Sequence, residues 1–375
     1  MRLLVRHVLW IGLISGLSCS VNAQTLDQAL AQLPLIQQEV VNAHQEITFD
    51  TFLNRLSDKR VVYVGEYHPR YQDHLLQLAV IQAMHQQHPQ MAIGMEWFQA
   101  PFQPWLDAYV MQLIDEQTLL DKTEYYQRWR IDFRQLRPIL AYARAHGIRL
   151  LALNAPSELT RQISTLGRDS LAQIQRQTLP TITPPSDEQR QRLLKVFEGK
   201  IPPNRAIEDY IYAQRVWDEV MADNALAYLS AHPQARLVVL AGNFHIAWGD
   251  AIPADMRRRA PALNGKQATV SSGSFAEYRA DFVDYFVYTD PIQLPATGKL
   301  GVRLNANLCV QSIESDSAAE LAGLQIGDRI LSLNQQTLQS LGGFFLALSD
   351  TRPGQTLTLD IARGKDKQSL SVTLD

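Results

Sequence analysis

Cysteine is almost missing from this chain: 375 residues carry two, Cys19 and Cys309. Cys19 falls inside a segment that reads as a leader, so the mature chain cannot hold an internal disulfide framework and must rely on its core. A basic tract is missing too. Lys and Arg number 35 against 38 Asp and Glu, for a formal charge of −3, which removes the electrostatic basis for nucleic-acid binding. Long apolar runs are lacking; the run from Val8 to Leu17 is too short to stay in a bilayer as a spanning helix. Internal repeats and low-complexity tracts are absent. What remains is ordinary globular material, 46% hydrophobic and 19% charged, with enough length for two domains.

The first 23 residues read as a signal peptide. Arg2 and Arg6 form a positive start, Val8–Leu17 an apolar middle and Val21-Asn22-Ala23 a small-residue cleavage site. Export to the periplasm or cell envelope is the expectation. Gly16-Leu17-Ser18-Cys19 is a loose lipobox, which offers lipidation of Cys19 and attachment to a membrane as the competing outcome. Its leading glycine is atypical, so cleavage after Ala23 is preferred.

From there the chain alternates. A short helix is expected over Thr25–Ala43. Strand-like runs follow at Val61–Gly65, Ala92–Glu96, Arg149–Asn154, Leu237–Gly242 and Phe282–Thr289. Helical patterns lie between them at Gln72–His88, Phe133–His146 and Ile207–Ala231. This predicts an α/β domain over 24–290, a mostly parallel sheet covered by helices. Residues 159–204 are too long for a plain connection and predict a helical insertion, with Thr183-Pro184-Pro185-Ser186-Asp187 as a break and helix cap. A linker at 291–297 leads to a small β-rich module at 298–375.

Two strands end in the same way. "VVYVGEYH" places Gly65, Glu66, Tyr67 and His68 after one buried run, and "VVLAGNFH" places Gly242, Asn243, Phe244 and His245 after another. Glu96 in "AIGMEWF" and Asn154 in "LLALN" close two more. In a parallel sheet, ligands bind outside the carboxyl ends of the strands, and glycine there lets the backbone turn or admits a close neighbour. Glu66, His68, Glu96 and His245 combine carboxylates with imidazoles, a set suited to a divalent metal or to acid–base chemistry. Gln214, Asp218 and Met221 share a helix face by spacing and could present a polar contact to that site or a half-buried face. His74 follows on an expected helix, where a solvated position is the plain reading.

The last module resembles a PDZ domain. "GKLGVRL" has the form of a carboxylate-binding loop and its strand, "SDSAAELAGLQIGDRILSLNQQTL" carries the bacterial signature, and "GGFFLAL" the groove helix. The resemblance implies that backbone amides near Leu300, Gly301 and Val302 hold the C-terminal carboxylate of a partner peptide, which adds a strand to the sheet edge.

The larger domain has its own resemblance. "VVYVGEYH…DH", "AIGMEWF", "QRVWDEVMADN", "VVLAGNFHIAWG" and "YRADFVDYFVYT" together resemble the ChaN-type haem-binding uptake family, within the superfamily of Tiki proteases, TraB-like proteins and erythromycin esterases. It implies haem as cofactor, bound for uptake by an exported lipoprotein with tyrosine ligation of the iron, and raises a haem shared within a homodimer. The haem-site residues it suggests are Tyr67, His68, His74 and His245. Tyr71, Tyr109, Tyr125 and Tyr126 are further candidate tyrosines, and Trp97, Phe98, Phe102 and Trp105 could wall a porphyrin or cover the sheet. The Tiki and esterase relatives imply the alternative: a metal-dependent hydrolase of a small-molecule ligand, using Glu66, His68, Glu96 and His245.

Overall fold

The structure is a computed structural model describing residues 40–42, 45–129 and 131–375. The expected leader, Cys19 and most of the expected Thr25–Ala43 helix lie outside these residues. The described end of that helix is instead a strand, β1 (Val40–Asn42), followed by β2 (Gln45–Ile47). Val40 and Val41 are β-branched and buried, and the ladder to β8 (Tyr285–Tyr288) accounts for the difference.

The sheet has eight strands in the order β2-β1-β8-β7-β3-β6-β4-β5. Its parallel centre is built from β3 (Val61–Glu66), β4 (Met91–Gln99), β5 (Arg149–Asn154), β6 (Arg236–Gly242) and β7 (Gln267–Gly273). Every residue of β3 is buried, as expected of a strand covered on both faces. β7, "QATVSSG", was not expected: its serines and threonine break the apolar signal, yet Thr269, Ser271 and Ser272 are buried and hydrogen-bonded. The fifth expected strand is shorter than its sequence run, because Phe282 to Asp284 pack as a loop before β8 begins.

β3 pairs β6 in parallel, with Gly65 opposite Ala241 and Glu66 opposite Gly242. The chain leaves β3 for β4 on one side and leaves β6 for β7 on the other. Adjacent strands with crossovers in opposite directions form a switch point, where a crevice opens at the carboxyl ends. Both G-x-x-H segments therefore converge on one crevice. The helical insertion is present, and Ser186 caps its helix Asp187–Phe197 by accepting from the Gln189 amide.

Residues beyond the linker form β9 (Val302–Leu304) paired with β10 (Val310–Ile313), and an antiparallel sheet of β11 (Arg329–Leu333), β12 (Gln336–Thr337), β13 (Thr356–Arg363) and β14 (Asp366–Thr373). Helix Leu341–Ser349 packs in the same apolar cluster as Leu300, Val302 and Leu304. Among the described residues no helix is long and apolar enough to cross a membrane.

Candidate functional site

The two motifs interlock through their glycines. A Cβ on Gly65 would overlap the Asn243 side chain of the second motif, and one on Gly242 would sit 3.3 Å from the His68 ring of the first. Each glycine is the space its partner motif needs, which is why both strands end the same way.

Glu66 is the hub. It is buried at the tip of β3, and its Oε1 lies 2.7 Å from His68 Nδ1 while accepting from Trp97 Nε1 at 2.8 Å. Its Oε2 accepts from Gln77 Nε2 at 2.6 Å and lies 3.2 Å from His74 Nδ1. His74 is thus no solvated helix residue: it is buried on helix Tyr71–Gln87, and its Nε2 donates to the His68 carbonyl at 2.9 Å. The rings of Trp97 and Trp129 flank His68 edge-on at 5.1 and 5.0 Å. His68 Nε2 is left without a hydrogen-bond partner among the described residues. Burial disfavours charge on His68, but the Glu66 hydrogen bond and the Glu96 charge outweigh it and raise the ring above its ordinary value.

The second motif repeats the pattern. His245 Nδ1 lies 2.6 Å from Asp218 Oδ1, and its Nε2 lies 3.4 Å from Glu96 Oε1. Glu96 Oε2 accepts from the Gly242 amide at 2.7 Å, and Asn154 holds the Glu96 carbonyl at 2.9 Å. Burial works against charge on both partners and loses to their attraction: His245 is pushed up to about 10 and Glu96 held down at about 2. His245, raised above its unfolded value, contributes stability that is complete below about pH 6.5 and is lost as pH climbs towards 10. Glu96, depressed, contributes above about pH 4.5 and loses its contribution as pH falls towards 2. The unfolding free-energy difference between wild type and His245→Gln is therefore expected to be largest near pH 5–6 and to shrink towards pH 10; a difference that grows with pH in urea melts would contradict the pairing.

Glu66, His68, Glu96 and His245 are thus brought together, but as two carboxylate–imidazole pairs. Among the described residues no group of three or more His, Cys, Asp and Glu side chains is arranged to hold a metal ion. The divalent-ion set expected from the sequence is not assembled, because Glu66 is committed to His68, Gln77 and Trp97, and Glu96 to a backbone amide. Asp218, only weakly suggested by helix spacing, is a direct partner of His245, whereas Met221 is core. Gln77 and Trp129 gave no signal in the sequence: an amide on an apolar helix and a tryptophan remote from either motif are ordinary residues until the fold apposes them.

The rim of the crevice is aromatic. Tyr67 is 40% exposed, Phe244 42% and Phe275 78%, and they follow β3, β6 and β7, three adjacent strands. The Arg70 guanidinium lies 4.1 Å from the Tyr67 ring centre and is itself paired with Glu277 at 2.6 Å. The Tyr67 amide donates to buried Asp73 at 2.8 Å, which fixes the loop. Of the other candidate tyrosines, Tyr109 and Tyr125 are buried. Tyr71 and Tyr126 are half-buried, the latter stacked on Phe345. Trp97 and Phe98 are core; Phe102 and Trp105 are half-buried under Arg128 and Lys122. The donor set fits a haem better than a bare divalent ion: one exposed phenol, exposed phenylalanines at the two neighbouring strand ends, and one guanidinium, Arg70, against the phenol ring.

At the other module, the amides of Leu300 and Gly301 donate to nothing among the described residues, and β9 is paired on one edge only. That is the equipment for a carboxylate and an added strand.

Comparison with known proteins agrees with this architecture. Residues 52–256 match the family described as haem-binding uptake, Tiki superfamily, ChaN, and residues 298–374 match the PDZ domain. A solved structure of ChaN from Campylobacter jejuni, described as showing cofacial haem binding, is 17% identical, with a TM-score of 0.53 over 67% of this chain and 96% of that one. At that identity the likeness shows the fold. Among curated proteins, protease RseP of Yersinia pestis is 44% identical over 63 residues, 17% of this chain and 14% of that protein. The chloroplastic RETICULATA-RELATED 5 protein of Arabidopsis thaliana is 26% identical over 140 residues, 35% and 18% respectively. The chain spans less than a fifth of either curated relative.

Proposed function

Because this chain belongs to the ChaN-type haem-binding uptake family of the Tiki superfamily, with a PDZ domain behind that region, we propose that it binds haem where its two G-x-x-H motifs meet. The observation that carries this reading is Tyr67, an exposed phenol at the centre of three adjacent strand ends, flanked in sheet order by exposed Phe244 and Phe275. Bound haem would supply the iron, and the chain supplies Tyr67 as the oxygen ligand between aromatic neighbours in sheet order; burial raises the phenol above its ordinary value against the opposing charge of Arg70, so it would be the iron that draws off its proton. His68, anchored through Nδ1, keeps Nε2 free for a polar contact at the rim. The Campylobacter protein's cofacial arrangement, carried to this chain, would appose two copies at the same face. The leader-like N-terminus supports export to the cell envelope, and the free amides of Leu300 and Gly301 support capture of a partner's C-terminus for delivery.

Haemin titrated into the purified protein is expected to give a saturable Soret shift at micromolar concentrations, and a linear, non-saturating response would overturn the reading. One observation favours a second activity. His68 pairs through Nδ1 with Glu66 and leaves Nε2 open in the crevice, the geometry of a general base. Ester hydrolysis that rises with pH and vanishes in His68→Ala would support hydrolysis; a rate equal to that of buffer would remove it.

A further inference from the structure

The helix that flanks β9 does not stand free: the first domain is docked on it. Its N-terminal turn faces the segment 115–128. The Gly342 amide donates to Asp121 Oδ1 at 3.2 Å, a Cβ on Gly342 would overlap that carboxylate, and one on Gly343 would lie 2.8 Å from Gln117. Two successive glycines are therefore what lets the domains approach. Next along the helix, Phe345 stacks on Tyr126 of the first domain, ring centres 4.4 Å apart and planes 30° from parallel.

Leu341, Phe345 and Leu348 stand at i, i+4 and i+7 and share one helix face. Leu341 and Leu348 belong to the same apolar cluster as Val302 and Leu304 of β9, which sets that face on the side of the edge where a peptide would add its strand. Phe345 remains 38% exposed on it. Tyr126, from the other domain, is thus part of the wall of the peptide groove.

From Tyr126 an unbroken series of aromatic contacts runs inward. Tyr126 meets Tyr125 edge-on at 5.1 Å, and Tyr125 stacks on Trp97 at 6.1 Å with planes 16° apart. Trp97 donates to the same Glu66 oxygen that holds His68. The Tyr125 hydroxyl is buried and has no hydrogen-bond partner among the described residues. The ring is held by its faces alone, so a change in stacking meets no polar restraint on it.

We propose that the peptide groove and the crevice at the two motifs are linked through this stack. The partner is a protein segment with a free C-terminal carboxylate and an apolar last residue, held by the Leu300 and Gly301 amides and packed towards Leu341 and Phe345. Its side chain presses on Phe345, the Tyr126–Tyr125–Trp97 series shifts, and the hold of Glu66 on His68 changes. By reciprocity, a ligand in the crevice alters affinity for the partner by the same factor. The ligand side of this link rests on the haem reading above; the stack itself does not.

The test uses the full chain and two readouts. The Trp97 indole N–H resonance, assigned by its loss in Trp97→Phe, reports the Glu66 end without any ligand, and haemin titration reports affinity. Phe345→Ala, in the other domain, is expected to move the Trp97 resonance and to change the haemin Kd about threefold or more. Ile326→Ala, an exposed change in the same domain and off the stack, is expected to move neither. If Phe345→Ala does not fold, Phe345→Leu reads the same contact. An unmoved Trp97 resonance together with an unchanged haemin affinity overturns the link while leaving the haem site standing. If wild type takes up no haemin, the haem reading fails and the resonance alone decides the link.

Discussion

Glu66→Ala is expected to lower the unfolding free energy by about 3–5 kcal/mol, the cost of removing one member of a buried charged network. Glu66 is 1% exposed and serves four side chains at once: His68, His74, Gln77 and Trp97. Truncation leaves the buried Trp97 N–H without its acceptor and the Gln77 amide with only the Val64 carbonyl, and each such loss adds its own penalty. It also opens a cavity beneath two imidazoles. Glu66→Gln keeps the volume and one acceptor oxygen, so it is expected to cost markedly less while releasing His68 from its fixed orientation. Urea melts of the two variants check this. Equal stabilities for Glu66→Ala and wild type would mean that the hub is not the support described here.

The second large effect lies behind His245. Arg215 is buried among three carboxylates, donating to Asp218 at 2.9 Å, to Asp255 at 2.7 Å and to Glu219 at 3.2 Å. Arg258 and Arg259 supply further charge to Glu219 from the periphery. Arg215→Met keeps the length and removes the central cation, with an expected loss of about 3–5 kcal/mol at pH 8. Burial already raises Asp255 to about 7 against the pull of Arg215. A carboxyl raised above its unfolded value destabilises increasingly as pH rises through that range, so without Arg215 the loss should be smaller at pH 5 than at pH 8. The same change is expected to loosen His245, since the Asp218 carboxylate that holds its ring through Oδ1 is itself fixed through Oδ2 by Arg215. A loss independent of pH would contradict the carboxylate-neutralising role.

Much of this was legible in the sequence because the parallel strands announce themselves. Val61–Val64 and Leu237–Leu240 are continuous apolar runs, and the glycine–histidine endings put chemistry at one edge of one sheet. β7 was not legible, because its buried Ser and Thr positions are satisfied by Asp73, Asn243 and Asp284, partners remote in sequence. The N-terminal strand was hidden for a related reason: Val40 and Val41 take strand geometry from β8, a partner 245 positions later that no local pattern reports. His74 read as solvated because its neighbours Gln72 and Asp73 are polar. In the fold all three are buried: Gln72 accepts from the Ile292 amide, Asp73 from the Tyr67 amide and Ser272, and His74 lies against Glu66. The domain contact at Gly342 and Tyr126 left no trace either, since glycine at a helix start and tyrosine on a short helix both have commoner explanations.

The most direct test of the account is the absorbance spectrum of the haemin complex, recorded side by side for wild type, Tyr67→Phe and Tyr71→Phe. A ferric–phenolate charge-transfer band present in wild type and Tyr71→Phe and lost in Tyr67→Phe is the predicted result, and it would locate the iron at the edge where the two motifs meet. Identical spectra for wild type and Tyr67→Phe would contradict it and place the haem elsewhere.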